Sequence, residues 1–578
     1  MRGADILVEM LIKQGVEVVF GVPGDTSMAF HDALRLRQKE IRHVLCRDER
    51  HAAYAADAYA RVTGKVGVVE VPSGGGALYV VPGLSEADCS NIPLVCLASE
   101  ITMSSIETNA LTDCNQERLF SAVTKWNTTV TSPALLPRLV RKAFRQAAGG
   151  AQGAAALTLP ENVLRGEYTG SEADLAITPR TEFCSAFRNE PAAADVAEMV
   201  AMLKAASRPL VLFGGGIHLA GAYDEALAFV ERYQLPVITS VDGKGSIQEY
   251  HPLAMGTVGA NGGSAQANEI GQAADLLFVL GSKVDNVTTF GRQLVSPETK
   301  VIQVDISEEY IGNNLPVALP VMADVKATLA ALVRAWDGGD YGRKHREWNA
   351  WAKEKFAEKR RGIEAANAQE TEAVCVSYFF EVLSELTGPD TIFTGEAGTP
   401  TPYLASYLRQ KKAGRQTILP RGHGALGYAI GAALGAAVGR PDHQVISLFG
   451  DGSFGMSMGD LETARRLGLP ILFINLRNDC YGWIKTIQRL YYKSNYYGVD
   501  FSAIDAVKIA EGFYLPARNI GTNSEVRAGL EWALAESRRG GPVFLNARIQ
   551  PIEEYVPPVC QWEKDILLPE EKRKKLVY

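Results

Sequence analysis

The stretch VISLFGDGSFGMSMGDLETARRLGLPILFINLRND, residues 445–479, decides the reading of this chain. An apolar run, VISLF, ends in the turn GDG; a helical stretch, MSMGDLETARRL, follows; a second apolar run, LPILFI, ends in NLRND. Short apolar runs alternating with helical periodicity predict parallel strands joined by a crossover helix. Asp451 and Asn478 then each stand just past a strand, 27 residues apart, at the carboxyl edge where open α/β sheets bind ligands. Two oxygen donors suit a hard cation. Magnesium takes six oxygens and leaves several of them to water and phosphate, so a diphosphate fits the remainder. Gly450 and Gly452 let backbone amides approach phosphate oxygens, and the following helix presents an anion-favouring N-terminal end. Most GDG sequences are plain turns, so the motif has to be weighed with the rest of the chain.

Working outward, the 578 residues exceed what one hydrophobic core fills, and they divide into three units. Residues 1–170 alternate helical stretches with the strand-like runs VEVVFGV, HVLC, VGVVEV, IPLVCLA and GAAALTLP. Residues 171–192 break every periodicity and read as a linker. A unit of the same kind spans 193–335, with strands in RPLVLFGG, LPVITSV, ADLLFVLGS and KVIQVDI; its glycines 214–216 lack the GxGxxG spacing and read as turns, and Asp305 ends a strand. The charged helical stretch WNAWAKEKFAEKRRGIEAAN leads to the third unit, 372–555, with further strands in TIFTG and PVFLNARI. The tail, 556–578, is charged and irregular, either a solvated end or a cap over a site. The expected fold is α/β, three consecutive domains each with a parallel sheet flanked by helices.

The composition, 47% hydrophobic and 22% charged, is that of an ordinary globular protein. A net charge of -7 and a pI near 5.8 give no basic footprint for nucleic acid, and no basic run or long apolar stretch points to a membrane, so the expected partners are small molecules. The N-terminus lacks the unbroken apolar core of a signal peptide, which predicts a cytoplasmic protein. The eight cysteines, at 46, 89, 96, 114, 184, 375, 480 and 560, show no CxxC or zinc-finger spacing and read as reduced, mostly buried thiols.

The segment from GDG to RND resembles the signature of thiamine diphosphate enzymes of the acetolactate synthase, pyruvate decarboxylase and benzoylformate decarboxylase superfamily, closest to acetolactate synthase large subunits. VVFGVPGDTSMAFHDAL, DERHAAYAADAYARVTGKVGVV, PSGGGALYVVPGLSEADCSNIPLV and VTKWN resemble its pyrimidine-binding domain; 193–335 is similar to its middle domain; GEAGTP and RGHGALGYAIGAALGA are similar to its diphosphate-binding domain.

The resemblance implies thiamine diphosphate and Mg2+, with the metal held by Asp451, Asn478 and the backbone carbonyl of Cys480, and with Arg477 departing from the family's first Asn. Implied cofactor contacts are Gly398, Thr399, Gly424, Leu426, Gly452, Ser453 and Gly482. Glu49 stands where the family places the glutamate that hydrogen-bonds N1' of the pyrimidine; its plain alternative is a solvated carboxylate at a helix start. Leu426 matches the apolar side chain wedged under the bent cofactor, and a leucine in an AL-rich helix is also ordinary core. Asp25 in PGD matches a proton-handling aspartate of the decarboxylases, with a helix cap as its alternative, and Gln116 resembles a glutamine near the reactive carbon. His31 and His51 are read as ordinary surface or supporting residues.

No adjacent His pair supports a simple decarboxylase, while YGWIKTIQ and LTD at 111–113 depart from the acetolactate synthase patterns. The expected reaction is carboligation on a 2-oxo acid or polar carbonyl compound; the alternatives are decarboxylation, a 2-hydroxyketone lyase, or a non-catalytic relative. Because Asp25, Thr26 and Ser27 follow a Pro-Gly turn, they are expected to face the site and to favour oxygen-rich substrates. The resemblance also implies a homodimer or dimer of dimers. FAD, ADP or no nucleotide in the middle unit all stay open.

Overall fold

The computed structural model describes residues 1–177, 188–573 and 575. It holds three six-stranded sheets, parallel in every pairing. The first contains β1 (Val18–Gly21), β2 (Arg42–Leu45), β3 (Gly67–Val71), β4 (Leu94–Glu100), β5 (Trp126–Thr129) and β6 (Ala154–Pro160), in the order β2-β1-β3-β4-β6-β5. The second contains β7 (Pro209–Phe213), β8 (Val237–Thr239), β9 (Ala254–Thr257), β10 (Leu276–Leu280), β11 (Lys300–Asp305) and β12 (Leu319–Met322), in the order β12-β11-β10-β7-β8-β9. The third contains β13 (Ile392–Gly395), β14 (Thr417–Ile418), β15 (Val445–Gly450), β16 (Ile471–Arg477), β17 (Ala517–Ile520) and β18 (Val543–Arg548), in the order β14-β13-β15-β16-β18-β17. The first and third sheets therefore share one strand order, reversing between β1 and β3 and between β13 and β15, whereas the middle sheet reverses between β7 and β10. The expected three domains, each built on a parallel sheet, are present; within that plan the outer two share a strand order and the middle one differs.

The seam between the outer units explains why both are held in register. The helix Glu49–Thr63 is capped by Asp48, whose carboxylate accepts the N–H of Arg50, and stops at Gly64 in the left-handed region. It packs in parallel on the helix Tyr428–Gly439, whose small residues admit a close approach: a Cβ on Gly435 would lie 1.9 Å from the carbonyl oxygen of Ala55. One continuous core takes in Phe20, Tyr54 and Val69 of the first unit with Tyr428, Phe449 and Phe544 of the third. The middle unit has cores of its own, around Phe213, Phe229 and Phe278 on one face of its sheet and Leu212, Ile238 and Val279 on the other.

The helix Arg346–Asn367 leads to the third unit as the charged stretch suggested. The tail is packed rather than solvated: its helix Cys560–Asp565 lays Trp562 on Trp483 at 4.4 Å between ring centroids, and Tyr491 donates to Asp565. Of the seven described cysteines, five are buried while Cys89 is exposed and Cys114 half-exposed; Cys184 and residues 178–187 of the linker lie outside the described residues. Among the described residues no helix is long and apolar enough to cross a membrane.

Candidate functional site

β15 ends at Gly450 and the helix Asp451–Ser457 begins at the next residue, which puts Asp451 in a first turn where free N–H groups favour a carboxylate. Asp451 is buried. Its Oδ2 accepts the backbone N–H groups of Asn478 at 2.8 Å and Asp479 at 2.7 Å, and its Oδ1 accepts the Asn475 amide at 3.0 Å. Burial pushes its carboxyl up. Among the described residues no lysine, arginine or histidine forms an ion pair with it; Arg477 is committed to Asp479 through two bonds of 2.9 and 3.0 Å. A buried carboxylate with no cationic neighbour, beside the Asn478 amide and the Cys480 carbonyl on one turn, is the donor set a hard cation requires. The Cys480 thiol, pushed up to about 12 by burial, stays protonated and does not compete as a ligand.

The glycines around this turn are sterically required. A Cβ on Gly452 would stand 2.5 Å from the Tyr481 ring, and one on Gly482 would stand 2.8 Å from the Asn478 amide nitrogen. Gly398 follows β13 with φ 85°, and Thr399 beside it is buried. Between them and the helix Tyr428–Gly439 lies Glu396, enclosed in the core. Its carboxylate accepts the N–H groups of Ala397, Tyr428 and Ala429, and burial raises it to about 7. Ser453, also buried, bonds the same carboxyl. Gly424 has φ 65°. Leu426 lies half-buried in the turn before the helix and not in the helix itself, which corrects the reading of it as core of an AL-rich helix.

This loop is tied to the first unit by Glu86, fully buried, whose carboxylate accepts the N–H groups of Arg421 at 2.8 Å, Gly422 at 2.9 Å and His423 at 3.0 Å. Arg61 reaches the same carboxylate while pairing with Asp57. Sequence reading passed over Glu86 because an acid on a helix looks like a solvated one.

At the first sheet's carboxyl edge, Glu49 is half-buried at the start of its helix, beside Gly76, and its carboxyl is raised, first by burial and then by the charges of Asp48 and Glu70. Asp25 is exposed and neither caps a helix nor pairs with a described residue; Ser27 closes the local turn through Gly24, and the helix starts at Met28. The cap reading of Asp25 is thereby corrected. Thr26 and Ser27 do not face a site either. Thr26 is buried and bonded to Ser99 at 2.8 Å and Ser73 at 3.2 Å, and Ser73 continues to Thr112. Gln116 is buried too, donating to the Ser99 carbonyl at 2.8 Å, with its own oxygen enclosed and without a partner. Glu100, which the sequence reading did not single out, ends β4 beside it and is raised by burial to about 7. His51 is buried, 2.5 Å from Asp460, bridging the two outer units, and His31 stands on Glu70.

In the middle unit the glycines at 214–216 do make the expected turn, with Gly216 close against Gly281, but Gly215 and Gly216 also border a cavity of about 400 Å³ at the strand ends. Asp305 lines it with its carboxyl raised to about 6 by burial, alongside Lys283 and Arg415. The turn was legible in the sequence and the cavity was not.

An unpaired buried carboxylate at one sheet edge, glycine-lined amides beside it, and a half-buried acid on the edge of a topologically equivalent sheet suit an α/β enzyme that binds a phosphate-bearing cofactor. Family models for thiamine pyrophosphate enzymes match in chain order: the N-terminal binding domain over residues 1–119, the central domain over 196–332 and the C-terminal binding domain over 396–547. The chain is 31% identical to an acetolactate synthase of Mycobacterium bovis over 88% of this chain and 82% of that one. It is 29% identical to a probable acetolactate synthase large subunit of Methanocaldococcus jannaschii over 96% and 94%, and 30% identical to an acetolactate synthase large subunit of Corynebacterium glutamicum over 86% and 78%. The chain belongs to the thiamine pyrophosphate enzyme family, and it is a thiamine diphosphate-dependent enzyme.

Proposed function

We propose that this enzyme is a cytoplasmic carboligase that joins a 2-oxo acid to a second carbonyl compound, using thiamine diphosphate and Mg2+. The observation that carries the reading is the Asp451 carboxylate, buried, fixed by two backbone N–H groups and paired with no cationic side chain among the described residues. Asp451, Asn478 and the Cys480 carbonyl would hold the metal, while Gly452, Ser453, Gly398, Thr399 and Gly482 border the diphosphate. Thiamine diphosphate, when bound, supplies a carbon acid whose conjugate base adds to carbonyls and delocalises the charge left behind. Glu49, already biased toward its protonated form, would hold a proton at N1' of the pyrimidine. The Gly424 carbonyl would accept the 4'-amino group, and Leu426, free of the core, would press the cofactor into its bent form. Gln116 and Asp25 are the remaining candidates for contact with the reacting groups. The family resemblance makes a dimer or dimer of dimers the working assembly, with the first unit's edge facing a partner's third unit.

Likeness to acetolactate synthases over nearly the whole chain favours carboligation. The preference for oxygen-rich substrates expected from Asp25, Thr26 and Ser27 loses its basis, because the two hydroxyls are already bonded inside the first unit. A second reading, decarboxylation or lyase chemistry, is favoured by Asp25 alone, an exposed carboxylate at that edge. Mass spectrometry of products from pyruvate with and without a second 2-oxo acid or aldehyde separates them. Carboligation requires a hydroxy-oxo product containing both substrates, and release of free aldehyde alone would replace it with the second reading.

A further inference from the structure

Strand β3 is buried at every position, and its fourth residue is an acid. Glu70 is 1% exposed. Its Oε1 lies 3.0 Å from Nε2 of His31, on the helix Met28–Leu36, and 3.1 Å from Nε2 of His43, on β2. The two rings meet edge to face with centroids 4.7 Å apart. β1 makes room for the carboxylate at Gly21, where a Cβ would fall 2.4 Å from Oε1. The other oxygen, Oε2, is enclosed and has no hydrogen-bond partner among the described residues.

Hydrogen bonding from two histidines accounts for Oε1. It leaves Oε2 as a buried acceptor unsatisfied among the described residues, which is costly to bury. The same three side chains present two imidazole nitrogens and a carboxylate whose ligand atoms all lie within 4.8 Å of one another. Bond lengths of about 2.0–2.2 Å around a tetrahedral cation separate neighbouring ligand atoms by roughly 3.4 Å, so each nitrogen would draw back from the carboxylate oxygen by tenths of an ångström while the two nitrogens close on each other by no more than roughly 1.4 Å. Two histidines and one glutamate with a fourth position open is an arrangement suited to zinc, and the imidazoles favour such a cation over magnesium. The imidazoles keep 20% and 18% of their side-chain surface in solvent, which supplies an entry path and a place for water.

We propose that His31, His43 and Glu70 form a binding site for a divalent cation of the zinc class, separate from the oxygen-lined site at Asp451. Without metal, both Nε2 hydrogens face the carboxylate; with metal, each ring carries its proton on Nδ1 instead, a change of tautomer without change of charge.

The test uses the full-length enzyme saturated with thiamine diphosphate and Mg2+, titrated with Co2+ as the probe and read by ligand-field absorption, then competed with Zn2+. One Co2+ per chain, displaced by Zn2+, is expected. His31→Ala and His43→Ala, at partly exposed positions, should each weaken binding by more than the roughly 10–100-fold that loss of an outer hydrogen-bond partner costs. Glu70→Gln should do the same if circular dichroism shows it folded, and Asp451→Ala should leave the signal in place. A folded enzyme with no Co2+ signal, a signal that survives both histidine substitutions, or one lost in Asp451→Ala would each overturn the site.

Discussion

The first and third units have one strand order and opposite chemistry at the same edge. In the third, the strand ends carry a carboxylate, an amide, a carbonyl and glycines that only fit without a Cβ, all arranged around Asp451. In the first, the corresponding edge is tied by hydroxyls, Thr26 to Ser99 and Ser73 to Thr112, with Glu49 half-buried and Asp25 exposed beside them. The backbone plan repeats; the loops decide that one edge fixes a buried carboxylate with backbone N–H groups and the other offers a half-buried acid.

That contrast breaks most completely at Asp451. Asp451→Ala should abolish high-affinity binding of both Mg2+ and thiamine diphosphate, read by calorimetry, and chelation of the metal from the native enzyme should release the cofactor in the same way. Retention of either in the variant would move the metal to another edge. At the opposite edge, Glu49→Gln should slow exchange of the cofactor's reactive proton by about 10²–10⁴-fold, measured by NMR, and keep most of the cofactor affinity. Equal loss of exchange and affinity would make the two edges alike in function.

The next effect tests what the edges share. Each buries one carboxyl raised to about 7, Glu100 in the first unit and Glu396 in the third. A raised acid contributes stability that is full below its ordinary pKa of about 4.5 and is lost as pH rises through about 7. Urea unfolding of the cofactor-free enzyme should therefore show stability falling between pH 5 and pH 8, by on the order of 3 kcal/mol for each group. Glu100→Gln and Glu396→Gln should each flatten part of that slope, and an unchanged slope in both would assign the fall elsewhere. At the seam, Gly435→Ala should cost about 1–3 kcal/mol of stability through its clash with Ala55; melting at the native temperature would show that the helices can separate without penalty. The smallest structural effect is expected from Asp25→Ala, within about 0.5 kcal/mol of the native enzyme because nothing is bonded to it, with turnover reduced instead. Loss of stability with turnover intact would remove Asp25 from the site.

The sequence made the central strands visible because strands covered on both faces read as unbroken apolar runs, as in VISLF and LPILFI. The strands it missed, β5, β9, β12, β14 and β17, are all at sheet edges, where short or partly exposed runs lose that signal. Asp451 and Asn478 were readable from their places after strands, and Glu49 through resemblance. Glu86, Glu100 and Glu396 were not, since nothing local distinguishes a buried acid fed by backbone N–H groups from one in water. Thr26 was misread for the complementary reason, because its partners, Ser73 and Ser99, lie far along the chain, and Ser27 because its hydroxyl is spent on its own turn at Gly24.

The core shared by the two outer units also bears on synthesis. The helix Glu49–Thr63 leaves the ribosome roughly 370 residues before the helix Tyr428–Gly439 that covers it, an interval of roughly 20–70 s at typical elongation rates of about 5–20 residues per second. Throughout that time the face carrying Tyr54, Ala55 and Tyr59, buried in the finished chain, has no intramolecular cover, while the middle unit, with its own cores, can complete itself. The nascent chain therefore carries a finished middle domain between a waiting apolar face and a partner not yet made, and it is at this face that a chaperone would be needed.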